Sequence, residues 1–184
     1  MKVLAISGSL RRDSYNTKLL RAAEELLPGT VDFELLKSSG VIPPYNEEDD
    51  MQPAPPAVAA LREAIAQADA VLFATPEYNA SVPGCLKNAL DWVSRPFATN
   101  PLRNKPVAVV GASTGAFGAV WAQAELRKVL AAIGARVAEG EVALGHANTK
   151  FDEHGELADE AAREQLAEVL DALLAELPLR LVAA

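Results

Sequence analysis

Three short segments of the chain combine residue types that can hold an anion and a flat heteroaromatic ring. The first, Ser7-Gly8-Ser9-Leu10-Arg11-Arg12-Asp13-Ser14-Tyr15-Asn16, leads straight from an apolar run into a helical pattern. The hydroxyls of Ser9 and Ser14, the guanidinium of Arg11 and the free N–H groups of a helix start converge there, which suits a phosphate. A blander reading has Ser14 or Asn16 capping the helix and both arginines solvated. The spacing is neither Gly-x-Gly-x-x-Gly nor Gly-x-x-x-x-Gly-Lys-Ser/Thr, so a single phosphate monoester is favoured over a pyrophosphate cradle.

The second segment, Thr75-Pro76-Glu77-Tyr78-Asn79-Ala80-Ser81-Val82-Pro83-Gly84, brackets a polar, aromatic tip between prolines. Such a segment leaves its strand rigidly and offers backbone N–H and C=O groups to a flat ring, unless it is simply a Pro-rich turn with Tyr78 half-buried. The third, Gly111-Ala112-Ser113-Thr114-Gly115-Ala116-Phe117-Gly118, is glycine-rich, which permits close backbone approach to a ligand. Other residues offer less. His146 and His154 lack nearby partners for a metal or a catalytic base and read as surface residues. Cys85 sits at a helix start but reads as a small buried residue, and Glu47 to Asp50 as a solvated acidic face. No Gly-x-Ser-x-Gly elbow and no Cys/His metal cluster is present.

The elements that must position these segments alternate along the chain. Val3–Ile6, Ala70–Ala74 and Val107–Val110 are continuous apolar runs, as in strands buried on both faces, whereas Val31–Leu35 alternates like an edge strand. Residues 136 to 144 read as a fifth, weaker strand region. Helical stripes run through Leu19–Leu27, Val58–Ala68, Leu86–Val93, Leu126–Ile133 and Leu166–Leu174. Residues 38 to 56, with five prolines, read as a surface excursion. Five strands alternating with five helices predict an α/β, three-layer, doubly wound fold around a parallel sheet. Its ligands belong at the carboxyl ends of the strands, where all three segments fall.

Composition bounds the partners. With 184 residues, half of them hydrophobic, the chain is expected to form a single domain over 1–184. Its formal charge of -8 argues against nucleic acid or an anionic membrane as partner. One cysteine precludes an internal disulfide, Val3–Ile6 is too short for a signal-peptide core, and no stretch approaches a membrane span. A cytoplasmic setting is expected.

Three motifs carry a resemblance. They are Gly8-Ser9-Leu10-Arg11-x-x-Ser14-x-Asn16, then Pro76-Glu77-Tyr78-Asn79-x-Ser81-x-Pro83-Gly84-x-Leu86-Lys87-Asn88-Ala89-x-Asp91-Trp92, then Gly111-Ala112-Ser113-x-Gly115. Together they resemble the NADPH-dependent FMN reductase family, with its related quinone and chromate reductases, over nearly the whole chain. The resemblance implies a flavodoxin-like fold of strand order 2-1-3-4-5 and one FMN per subunit. It also implies that Ser9, Arg11, Ser14 and Asn16 form the FMN phosphate site, with Tyr15 and the loop backbone at Leu10 adjoining. By the same token Pro76, Glu77, Tyr78 and Asn79 flank the isoalloxazine edge, and Ser113 and Gly115 lie near the ring.

The resemblance further implies a homodimer or homotetramer, with an interface expected around Leu90 and Trp92. Two positions depart from the pattern. Gly118-Ala119-Val120-Trp121-Ala122-Gln123 stands where many members have Gly-Gly-x-Arg-Ala-Gln, and Pro83-Gly84-Cys85 where many have Pro-Gly-Gly. The implied activity is hydride transfer from NADPH or NADH through FMN N5 to flavin, quinone, azo compound or a metal oxyanion such as chromate. It requires no catalytic side chain and no metal. The alternative is a flavodoxin-like electron carrier that does not itself oxidise NAD(P)H.

Overall fold

The chain's apolar runs become its central strands. In the computed structural model, which describes residues 1–36 and 42–177, β1 (Lys2–Ser7) buries Val3 to Ile6 completely or nearly so. Strands β3 (Ala70–Thr75) and β4 (Pro106–Ala112) are buried along their whole length. Strand β2 (Asp32–Leu36) keeps the half-wet character that its alternation predicts.

All pairings are parallel, in the order β2-β1-β3-β4-β5. Because successive residues face opposite ways, each central strand feeds two cores. Val3, Ala5, Leu72, Ala108 and Val110 pack against α1 (Tyr15–Leu26) and α5 (Glu160–Ala175). Leu4, Ile6, Phe73, Val107 and Val109 pack against α2 (Pro56–Gln67), α3 (Gly84–Val93) and α4 (Val120–Ile133). This is the three-layer, doubly wound architecture that the pattern of elements predicts, with the flavodoxin-like strand order that the resemblance implies.

The fifth strand region differs from expectation. It is split into β5 (Arg136–Val137) and β6 (Ala143–Leu144), which pair with opposite ends of β4. Between them Gly140 adopts φ +99°. The Arg127 guanidinium donates to the carbonyls of Val109, Ala138 and Gly140, taking the place of a continuous ladder. Burial pushes the Arg127 pKa down, a cost that three carbonyl acceptors offset.

In the excursion, residues 38–41 lie outside the described residues. The rest is tied to α3 by hydrogen bonds from Trp92 Nε1 to Pro43 O at 2.8 Å and from Tyr45 N to Asn88 Oδ1 at 2.7 Å. Glu47–Asp49 is exposed, as expected, but Asp50 is largely buried against Arg62 at 3.0 Å. No helix among the described residues is long and apolar enough to cross a membrane.

Candidate functional site

At the carboxyl ends of β1, β3 and β4 the three loops close on a cleft of about 150 Å³. The structure brings Ser9, Arg11, Ser14, Tyr15, Asn16, Pro76, Glu77, Tyr78 and Ser113 to its lining. It adds Ala112 and Thr114, which sequence reasoning passed over although both adjoin Ser113. Leu10, Asn79 and Gly115 fall outside that lining. Leu10 instead borders an adjoining hollow with Arg11 and Arg12, and Asn79 sits exposed at a turn.

The β1–α1 loop is held open by its own hydroxyls. Ser7 Oγ accepts from Ser9 N at 3.3 Å and from Thr17 Oγ1 at 3.0 Å, while Ser9 Oγ accepts from Arg11 N at 3.4 Å. Ser14 caps α1, its Oγ accepting from Thr17 N at 3.4 Å. Consequently the backbone N–H groups of Arg12, Asp13, Ser14, Tyr15 and Asn16 have no acceptor within the described chain, and the hydroxyl protons of Ser9 and Ser14 remain free. Asp13, held below the ordinary aspartate pKa by Lys18, pairs with that lysine at 2.6 Å, so its charge is not directed into the cleft. The Tyr15 ring stacks on Phe151 at 5.6 Å.

Two residues expected to contact a ligand have their side chains committed elsewhere. Asn16, buried, donates from Nδ2 to Ala112 O and accepts at Oδ1 from Ala112 N, both at 2.9 Å. This double bond ties the start of α1 to the end of β4. It leaves Asn16 only its backbone N–H for an anion. Glu77 accepts at Oε2 from Trp121 N and Ala122 N, each at 3.0 Å, and so caps α4 from the neighbouring loop. With that side chain turned away, the Glu77 backbone N–H and C=O stay unpaired between Pro76 and a tight turn.

That turn closes through reciprocal Tyr78–Ser81 backbone bonds of 3.1 Å, with Asn79 and Ala80 both at positive φ. Tyr78 is 52% exposed, more than the half-buried turn reading expects. In the third loop, Ser113 Oγ accepts from Gly115 N at 3.1 Å, and Gly115 O accepts from His146 N at 3.0 Å. Close approach explains Gly118, where a Cβ would meet Ala143 C at 2.1 Å.

The weaker candidates are placed as follows. His146 and His154 are exposed, and no metal-binding group of acidic, His and Cys side chains occurs among the described residues. Cys85 is half-buried, its Sγ donating to Gly8 O at 3.4 Å. In the helix expected at an interface, Leu90, 2% exposed, faces the core, and Trp92, 0% exposed, is covered by Pro43 and Tyr45 of the excursion. Trp121 stands 49% exposed, its ring 5.0 Å edge-on from Phe117.

Residues 1–149 match the family described as NADPH-dependent FMN reductase. The chain is 48% identical to an NAD(P)H-dependent FMN reductase of Pseudomonas aeruginosa, over 94% of this chain and 93% of that one. It is 38% identical to a 2-hydroxy-1,4-benzoquinone reductase of Burkholderia, over 93% of each. Among solved structures, FerB, a flavoenzyme NAD(P)H:(acceptor) oxidoreductase from Paracoccus denitrificans, superposes with a TM-score of 0.85 at 38% identity, covering 95% of each chain. This protein belongs to the NADPH-dependent FMN reductase family.

Proposed function

We propose that this chain is an FMN-containing oxidoreductase that passes electrons from NADPH or NADH to flavin, quinone or similar small acceptors. The observation that carries it is the cleft itself, which sets the free backbone N–H groups of Ser14, Tyr15 and Asn16 and the side chain of Arg11 beside the unpaired peptide edge at Glu77. A phosphate monoester fits the first part and a ring with alternating donors and acceptors fits the second. FMN carries both on one molecule.

In this reading the hydroxyls of Ser9 and Ser14, the guanidinium of Arg11 and the N–H groups of Ser14, Tyr15 and Asn16 hold the phosphate. Asn16 and Glu77 are positioning residues, acting through Ala112 and through the first turn of α4. Glu77 orients one edge of the ring through its backbone, flanked by Pro76 and Tyr78, and Ser113 and Thr114 border it on the β4 side. When bound, FMN supplies hydride acceptance at N5 and onward electron transfer. The chain's part is to orient the ring and leave its outer face open to two reactants in turn.

The relatives named for quinone and FMN reduction support the acceptor classes, and azo compounds and metal oxyanions extend them. The reading further comprises one FMN-binding domain over 1–184, a cytoplasmic location and a homodimer or homotetramer. The test is spectroscopic. The purified protein is expected to be yellow, to bleach when NADPH or NADH is added without oxygen, and to recover with a quinone. A yellow protein that neither nicotinamide bleaches would be an electron carrier and would overturn the enzyme reading. In steady state, double-reciprocal plots are expected to be parallel, and intersecting lines would contradict alternation at one face.

A further inference from the structure

On the far side of the β1–α1 loop lies a second hollow of about 270 Å³, joined to the first because Ser9 and Arg11 line both. Three guanidinium groups border it, from Arg11, Arg12 and Arg21. Its other wall is apolar, formed by Leu10 together with Leu35 and Leu36 at the carboxyl end of β2. Neither Arg12 nor Arg21 forms an ion pair or side-chain hydrogen bond among the described residues. The nearest acid in sequence, Asp13, is already held by Lys18. A chain of net charge -8 thus lines one hollow with three arginines, two of which have no acidic partner among the described residues.

Like charges lining one hollow favour an anion between them. Guanidinium forks fit phosphate oxygens and stack on heteroaromatic rings, and the leucines offer a surface to a sugar or a base. The pairing of charged and apolar walls fits a nucleoside monophosphate group better than a bare ion.

We propose that Arg12 and Arg21, with Arg11 shared between the two hollows, form a second phosphate site that takes the 2′-phosphate of NADPH and sets a preference for NADPH over NADH. The inference rests on the reading that a reduced nicotinamide dinucleotide reacts at FMN in the first cleft. A dinucleotide whose nicotinamide lies over that cleft has its adenosine end free to cross the loop at Ser9 and Arg11. The 2′-phosphate then meets two guanidinium groups that no side chain among the described residues pairs with. NADH, lacking that phosphate, leaves them in water at no cost.

The test uses the FMN-loaded protein and Arg21→Ala, which removes one unpaired, exposed side chain outside the first cleft. The expected result is a fall of about tenfold or more in kcat/KM for NADPH, carried by KM, with kcat/KM for NADH and FMN affinity unchanged. Arg21→Lys is expected to recover part of the loss. Adenosine 2′-monophosphate should inhibit NADPH oxidation competitively, and Arg21→Ala should weaken that inhibition, whereas adenosine 5′-monophosphate should inhibit weakly in both. Equal effects on NADPH and NADH, or none, would overturn the proposal. So would inorganic phosphate inhibiting as strongly as adenosine 2′-monophosphate, which would make the hollow a site for free anions. If neither nicotinamide bleaches the flavin even in the unaltered protein, the enzyme reading itself fails, and that outcome is distinct from a lost preference.

Discussion

The two rims of the sheet are made of similar residues and end in opposite states. At the amino-terminal rim, the Lys105 ammonium donates to the Ala66 and Ala68 carbonyls at the end of α2, and burial pushes its pKa down. Arg136 donates to the carbonyls of Asn104 and Glu176, and the Asn100 amide to those of Phe97 and Ile133. Lys2 N donates to the Asp69 carboxylate at 2.7 Å. Cations and amides there serve to close helix ends. At the carboxyl rim Asn16, Glu77 and Ser14 do such work, while Arg11, Arg12 and a run of N–H groups stay open among the described residues. Room alone does not mark the ligand side, since the amino-terminal hollow holds about 570 Å³ against about 150 Å³ for the cleft. Unmet hydrogen-bonding capacity does.

Removing a brace from the open rim should have the largest effect. Asn16→Ala strands both polar groups of buried Ala112, at about 1–3 kcal/mol each, so denaturant unfolding is expected to show a loss of about 3 kcal/mol together with weakened FMN binding. A change under about 0.5 kcal/mol would mean the tie does not hold the rim together. The counterpart at the closed rim is Lys105→Met. Because desolvation of the ammonium offsets part of its two hydrogen bonds, a loss of about 1 kcal/mol is expected, with FMN affinity unchanged. A fall in FMN affinity there would erase the distinction between the rims.

Ala119 sharpens the comparison from the side of strain. It stands at φ +64°, so Ala119→Gly is expected to raise stability by up to about 1 kcal/mol in thermal unfolding. The smallest effect lies away from both rims. Asp159 caps α5 and pairs with Lys150, which lowers its folded-state pKa below the ordinary 3.8. A depressed carboxylate contributes stability that is present above its unfolded pKa and lost as pH falls through the folded value. Stability should therefore decline below about pH 4, and Asp159→Asn should flatten that part of the profile.

What could be read from residues alone follows the range of the interactions. Strands β1, β3 and β4 were legible because a strand buried on both faces needs a continuous apolar run, and Ser14 because a cap bonds three residues ahead. The break between β5 and β6 was not, because the Arg127 guanidinium that fills it belongs to another element. The side chain of Asn16 looked like a phosphate ligand because nothing local shows that its partner is Ala112, 96 residues away. Glu77 hides its role for the same reason, its partners standing 44 and 45 residues on in α4.

The central claim is that the carboxyl rim holds a phosphate of FMN with Arg11. It is tested most directly by titrating the flavin-free protein with FMN and comparing Arg11→Ala with Lys105→Met. Loss of a charge-assisted phosphate contact worth about 1.5–3 kcal/mol predicts that Arg11→Ala weakens FMN binding by about 10- to 100-fold while Lys105→Met leaves it unchanged. Unaltered affinity in Arg11→Ala would contradict the account and place the phosphate elsewhere.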